Sequence, residues 1–205
     1  MDNININYAL SDSKTKEELK LSIEALKDKN LKLYFGKQDI TVLKDVTLII
    51  ISPGVPHSID IVKEAKKRNI KVIGEIEFAY NLIPDRNYIS VTGTDGKTTT
   101  VNLIYSIISS YKKARLLGNV GNTFSKEVES IEKDEDIVLE LSSFQLETIY
   151  NFHSHISVIL NISEDHLDRY DDIEDYFNAK KNITKNQNCY DFLILNYDNY
   201  YTNRY

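Results

Sequence analysis

The sequence predicts an α/β protein with a mainly parallel sheet. Three observations carry this reading: short β-branched runs alternate with amphipathic stretches, polar or glycine residues punctuate each run, and a glycine-rich loop joins one run to the next stretch. Taken in order, residues 4–10 read as a strand closed by Ser11-Asp12-Ser13, and residues 14–29 place Leu19, Ile23 and Leu26 at helical spacing. Strands follow at 46–51 and 70–73, with a helix over 59–68 between them that gathers Ile59, Ile61, Val62 and Ala65. The polar turn Pro84-Asp85-Arg86-Asn87 marks a boundary dividing the chain into units 1–85 and 86–205. The second unit reads as strand 88–92, helix 98–111 with Leu103, Ile104, Ile107 and Ile108, strands 137–141 and 156–161, helix 172–186 and strand 192–196. No repeat or low-complexity linker interrupts it.

The chain has 205 residues, room for one domain or two small ones at roughly 100–200 residues each. Lys and Arg number 25 against 31 Asp and Glu, a net charge of −6 that argues against nucleic acid or anionic membrane as partners. Any phosphate is therefore gripped locally. The apolar run 48–51 falls far short of a bilayer span, which needs about 20 residues. The first seven residues lack the basic and apolar regions of a secretory leader, so the expected location is cytoplasmic. Cys189, the single cysteine, reads as a structural thiol, and His57, His153 and His155 read as structural or exposed.

Three segments carry chemistry. In Val91-Thr92-Gly93-Thr94-Asp95-Gly96-Lys97-Thr98-Thr99, glycines let backbone N–H groups turn inward, the following helix presents its positive end, Lys97 offers a mobile cation, and Thr98 an oxygen for Mg²⁺. Val91 stands where the full phosphate-loop pattern has its first glycine, so this is a shortened variant. A bare glycine turn before a basic helix is the bland alternative, and the strand before and helix after favour nucleotide binding. In Glu140-Leu141-Ser142-Ser143-Phe144-Gln145-Leu146-Glu147, Glu140 at a strand end can hold a divalent cation or cap a helix, and Ser142 and Gln145 can bond a substrate. In Asn161-Ile162-Ser163-Glu164-Asp165-His166-Leu167-Asp168-Arg169-Tyr170, His166 lies among carboxylates and can ligate a metal, orient a carboxylate, or be an ordinary surface or core histidine. Lys180 reads by composition as a solvated charge on a helix face.

These segments, in this order, resemble the Mur ligases, ATP-dependent amide-forming enzymes of peptidoglycan precursor synthesis. Glu140 to Glu147 is most similar to the branch that adds D-glutamate to UDP-N-acetylmuramoyl-L-alanine, and Ser52-Pro53-Gly54-Val55 and Gly74-Glu75-Ile76-Glu77 resemble that branch's first domain. The resemblance implies an incomplete Rossmann-like first domain, a partial P-loop-type ATPase domain, and a cytoplasmic enzyme that is a monomer at full length. It implies an acyl phosphate made from ATP and attacked by the amine of D-glutamate. By correspondence, Gly93, Thr94, Asp95, Gly96, Lys97, Thr98 and Thr99 hold ATP, while Thr98, Glu140 and His166 contact Mg²⁺. Lys180 matches a lysine carried as a carbamate and joins Lys97, Glu140 and His166 in catalysis. Asn119, Ser142 and Gln145 would contact the uridine-linked substrate, and Asp12, Ser13, Lys14 and Gly54 the uridine end. Asp95 stands where Asn is usual and Thr123 where Pro is common. The family pattern also implies a first strand and Gly-rich turn ahead of this chain and a third domain beyond it. A Rossmann-like sheet without that strand would have two open inner edges, so the isolated chain is expected to fold poorly and show little ligase activity. The alternatives are a non-catalytic nucleotide- or UDP-sugar-binding module and a sister ligase adding another amino acid.

Overall fold

The computed structural model describes residues 7–26, 31–37, 39–165 and 168–205. They form two compact units, Met1–Ile49 with Pro56–Val72, and Ile50–Val55 with Ile73–Tyr205.

In the first unit, β1 (Ala9–Asp12) and β2 (Lys32–Phe35) pair in parallel, Ala9 opposite Lys32 and Asp12 opposite Phe35. Between them α1 is only Lys20–Glu24 and buries none of its residues. The described residues 14–26 thus hold a much shorter helix than the periodicity of 14–29 predicts, because a short helix with no packed face has little to hold it, and residues 27–29 lie outside the described ones. Ahead of it Glu18 accepts the N–H and hydroxyl of Thr15, both at 2.8 Å, in a local turn. β2 is not anticipated by sequence: its four residues are exposed or half-buried. The predicted strand 4–10 overlaps β1 only at Ala9 and Leu10: residues 4–6 lie outside the described ones, 7 and 8 are not in a strand, and β1 runs on through Ser11 and Asp12, where a close was expected. β3 (Leu48–Ile51) and β4 (Lys71–Gly74) make a second two-stranded sheet. α2 (Asp60–Lys67) carries Asp60 in its first turn and Lys66 and Lys67 in its last, matching its dipole.

The second unit holds α3 (Glu75–Leu82), β5 (Asn87–Thr92), α4 (Lys97–Ser109), β6 (Ala114–Gly118), α5 (Phe124–Glu127), β7 (Asp136–Glu140), α6 (Ser143–Leu146), β8 (Ile156–Ile159), α7 (Ile173–Lys181), β9 (Phe192–Leu195) and α8 (Tyr200–Asn203). Its five strands run parallel in the order β6-β7-β5-β8-β9, so the α/β reading holds. Alternate residues of the central strands serve opposite faces. Tyr88, Ile137 and Leu139 join a core with Tyr80, Phe124, Phe152 and Phe177, while Ile89, Val91 and Val138 pack with Val101 and Ile108 of α4. Both faces being covered explains why β5 and β7 read as near-continuous apolar runs. β6 escapes sequence reading because it is a half-buried outer strand carrying Arg115. Glu77 is fully buried and accepts the backbone N–H groups of Tyr150, Asn151 and Phe152 at 2.9 Å each. Burial works against its charge, but these bonds outweigh it and hold the carboxyl below its ordinary range.

Candidate active site

Because the strands are parallel, their carboxyl ends collect on one side, the side where such sheets bind ligands. β5 ends at Thr92, whose hydroxyl donates to Leu141 O at 2.8 Å, and the chain then turns through 93–96 into α4. Gly93 has φ +151° and Gly96 φ +79°, and a Cβ on Gly93 would stand 3.0 Å from that of Leu160. The turn therefore needs glycine at both places. Gly96 is the N-cap of α4 and no side chain caps that helix, so its leading N–H groups present their positive end uncovered. Lys97 folds back over the loop, its Nζ donating to Gly93 O at 2.9 Å and Thr94 O at 2.6 Å. Asp95 and Thr99 are exposed at the rim.

Three elements converge on Glu140, which is 1% exposed at the end of β7. Thr98 Oγ1, from α4, donates to Glu140 Oε2 at 2.8 Å, and Asn119 Nδ2, just after β6, donates to Oε1 at 2.8 Å. Gly118 permits this approach, since a Cβ there would lie 2.4 Å from Glu140 O. The helix-cap alternative for Glu140 does not occur. Ser142 is the N-cap of α6, accepting the N–H of Gln145 at 3.3 Å, and Gln145 Oε1 accepts the Ser142 N–H at 2.9 Å and its hydroxyl at 3.1 Å. Ser142 and Gln145 therefore meet each other beside Glu140 in sequence.

Lys180 corrects its compositional reading as a solvated charge: it is 1% exposed, its Nζ donates to Gly93 O at 2.8 Å, and it lies 4.5 Å from the centre of the Tyr176 ring. Burial, with Lys97 nearby and Asp165 opposing, pushes its ammonium down to about 7. Sequence periodicity could have found it, because Lys180 falls four residues after buried Tyr176 and three after buried Phe177 on α7. Asn161, just past β8, also went unnoticed, although its side chain bonds the loop at Asp95 N at 2.8 Å. An open groove of about 350 Å³ beside Gly96 is lined by Val158, Leu160, Ile194, Leu195 and Asn196.

His166 lies outside the described residues. Asp12, Ser13 and Lys14 belong to the first unit, where Asp12 Oδ1 accepts the Lys14 N–H at 2.8 Å. Gly54 sits in a turn closed by Val55 N to Ser52 O at 3.0 Å, and Arg169 Nη1 donates to Pro53 O of that turn at 3.1 Å. Cys189 is exposed, not structural, and His153 and His155 both bond Asp191, at 2.7 and 3.0 Å.

The donor set suits a hard cation: a buried carboxylate and a hydroxyl on adjacent elements are what Mg²⁺ takes from protein when phosphates and water complete its shell. Among the described residues no three His, Cys, Asp or Glu are grouped to hold a metal by themselves. Nor is any helix among them long and apolar enough to cross a membrane.

The model of the Mur ligase middle domain matches residues 91–205, and that of the Mur ligase MurD-like N-terminal domain matches residues 2–74. The chain belongs to the Mur ligase family. Proteins named UDP-N-acetylmuramoylalanine--D-glutamate ligase are similar to it: that of Alkaliphilus oremlandii is 40% identical over 94% of this chain and 43% of its own length. That of Koribacter versatilis is 44% identical over 93% and 42%, and that of Clostridioides difficile 38% identical over 97% and 44%. This Mur ligase chain thus spans less than half the length of these curated relatives. Its fold is that of solved family members. The UDP-N-acetylmuramate:L-alanyl-gamma-D-glutamyl-meso-diaminopimelate ligase of Neisseria meningitides aligns with TM-score 0.58 at 15% identity, over 95% of this chain and 64% of its own. The MurF ligase of Thermotoga maritima, solved in complex with ADP, aligns with TM-score 0.51 at 17% identity over 79% and 47%.

Proposed function

We propose that this chain is the substrate- and nucleotide-binding part of a cytoplasmic, monomeric enzyme that joins D-glutamate to UDP-N-acetylmuramoyl-L-alanine using ATP. Residues 1–85 would hold the uridine end of the substrate, through Asp12, Ser13, Lys14 and Gly54, and residues 86–205 the ATP. The observation that carries this reading is the meeting of Thr98 and Asn119 on buried Glu140 next to an uncapped helix that begins at Lys97.

The chemistry asks for charge neutralisation and positioning more than for covalent participation. The γ-phosphoryl group passes from ATP to the free carboxylate of the alanyl substrate, leaving ADP; the amine of D-glutamate then attacks the acyl carbon and inorganic phosphate departs. Lys97 supplies a cation and the start of α4 supplies N–H donors where phosphate charge gathers. Thr98 and Glu140, with His166, would hold Mg²⁺, whose positive charge offsets that of the phosphates. Lys180, with its ammonium pushed down to about 7, has an amine fraction at neutral pH that can add CO₂, forming a carbamate and releasing a proton. Its side chain then turns from cation to anion. Asn119, Ser142 and Gln145 face the same end of the sheet and would orient the muramoyl substrate.

The test is a chimera in which these 205 residues replace the matching segment of the Clostridioides difficile relative. ADP formation is expected to require both UDP-N-acetylmuramoyl-L-alanine and D-glutamate, with little response to L-lysine or meso-diaminopimelate. ATP binding without stimulation by any amino acid would instead make the chain a non-catalytic nucleotide-binding module.

A further inference from the structure

The loop 93–99 is held from outside by the segment that leaves β8. The β5–β8 ladder continues past the strand ends: Leu160 N donates to Thr92 O at 3.0 Å and Thr94 N to Asn161 O at 2.9 Å. The Asn161 side chain then takes over. Its Oδ1 accepts from Thr94 N at 3.2 Å and Asp95 N at 2.8 Å, and its Nδ2 donates to Asp95 O at 3.1 Å. Ser163 N adds a bond to Thr94 Oγ1 at 3.1 Å. Gly93 makes the close approach possible, since a Cβ there would meet Asn161 N and O at 3.3 Å each.

We infer that Asn161 is a positioning residue that divides the phosphate loop in two: it occupies the N–H groups of Thr94 and Asp95, and leaves those of Gly96 to Thr99 as the anion-binding half. This rests on the nucleotide reading above and sharpens it. A phosphate-binding loop ordinarily cradles its ligand with successive N–H groups along its length. Here the front of the loop already satisfies its donors within the protein, while the start of α4 has no capping side chain. A carboxamide is suited to the task because one side chain both accepts from N–H groups and donates to a carbonyl of the same loop. Aspartate in its place would keep the accepting oxygen, lose the donor to Asp95 O, and put a negative charge beside the phosphates.

Residue-resolved amide exchange on the 205-residue chain tests this. In the ligand-free protein, Thr94 and Asp95 amides are expected to exchange at least about tenfold more slowly than those of Gly96 to Thr99, the factor that corresponds to one net hydrogen bond. Magnesium ADP or inorganic tripolyphosphate should slow exchange at Gly96 to Thr99 and leave Thr94 and Asp95 unchanged; new protection confined to Thr94 and Asp95 would overturn the division. Asn161→Ala should speed exchange at Asp95, whose N–H loses its side-chain acceptor, leave Thr94 slow through the backbone bond to residue 161, and weaken binding of both probes about tenfold. Asn161→Asp should keep the two amides slow yet still weaken binding. Should the alanine variant not fold, the ligand-free and ligand-bound measurements on the unmodified chain decide. A chain that binds neither probe refutes the nucleotide reading, whereas unaltered Asp95 exchange in folded Asn161→Ala refutes the role of Asn161.

Discussion

The two ends of the five-stranded sheet treat charge in opposite ways. Near the amino ends, polar partners sit on carboxylates: Lys112 reaches Asp136 at 2.7 Å, Arg115 spans Glu127 and Glu135 at 3.1 and 3.0 Å, and Asp191 bonds two imidazole rings. At the carboxyl ends, Lys97 and Lys180 both donate to one neutral acceptor, Gly93 O. The first arrangement is closed, because each charge is already compensated. The second rests two lysines on a carbonyl, a neutral partner that an anion can displace. Polar groups alone do not separate a structural cluster from a binding one; the identity of the resting partner does.

Lys180→Met should break the contrast most strongly. Burial and Lys97 push the Lys180 ammonium from 10.5 down to about 7 in the folded chain. Between those values the unfolded chain binds the extra proton, so stability rises with pH from about 7 to about 10.5, and below about 7 the full penalty is present. Removing the charge is therefore expected to flatten this dependence and to stabilise the chain by a few kcal/mol more below pH 7 than above pH 10. Urea midpoints taken across that range in CO₂-free buffer check it. A variant that tracks the unmodified chain at every pH would mean that Lys180 is not held against its charge.

Lys97→Ala should act on the ligand rather than on the fold. Magnesium ATP affinity is expected to fall about a hundredfold, close to 3 kcal/mol, because a phosphate loses its mobile cation. Stability should change by no more than about 0.5 kcal/mol, since Gly93 O keeps Lys180 as a donor and Thr94 is only half-buried. Calorimetric titration and a melting curve separate the two effects.

How much of this was legible in sequence follows the same physics. Strands 88–92 and 137–141 announced themselves because both faces of β5 and β7 are buried. The glycine loop was legible because only glycine satisfies its backbone and the strand and helix around it are strong. α1 was over-read, since apolar spacing without a packed face does not hold a long helix. Lys180 was under-read because composition counted it beside Lys181, although its spacing from Tyr176 and Phe177 puts it on the buried side. Asn161 gave no sign, because nothing in a polar residue after a strand says which neighbouring loop its amide will meet. The resemblance grouped Thr98 with Glu140 at the metal, but neither spacing nor periodicity could bring Thr98 and Asn119 onto that one carboxylate; the strand order does.

At the closed end, Asp136→Asn should cost about 1–2 kcal/mol. Asp136 is 6% exposed and accepts Asn87 Nδ2 at 2.9 Å as well as Lys112, so the substitution leaves one donor misplaced and one cation unpaired. Chemical denaturation at pH 7 and again in high salt should show the loss shrinking with salt only in the part that belongs to half-exposed Lys112.

Asp191→Asn should be the mildest change. Covering the carboxylate raises its cost, but bonds from His153, Asn188 N and His155 outweigh this and hold the group down to about 2, against 3.8 when unfolded. A carboxyl lowered in this way adds stability in full above about 4, and that stability is lost as pH falls toward 2, where both states take up the proton. Its partners are partly exposed and screened, so the expected loss at pH 7 is less than about 1 kcal/mol. The variant and the unmodified chain should converge as the medium is acidified below pH 3. If the two chains instead coincide from pH 7 to pH 2, the carboxylate charge contributes nothing and Asp191 serves only as a turn former through Asn188 N, which asparagine can replace. The closed end of the sheet would then owe its order to backbone geometry, and the contrast with the lysines on Gly93 would rest on Asp136 and Arg115 alone.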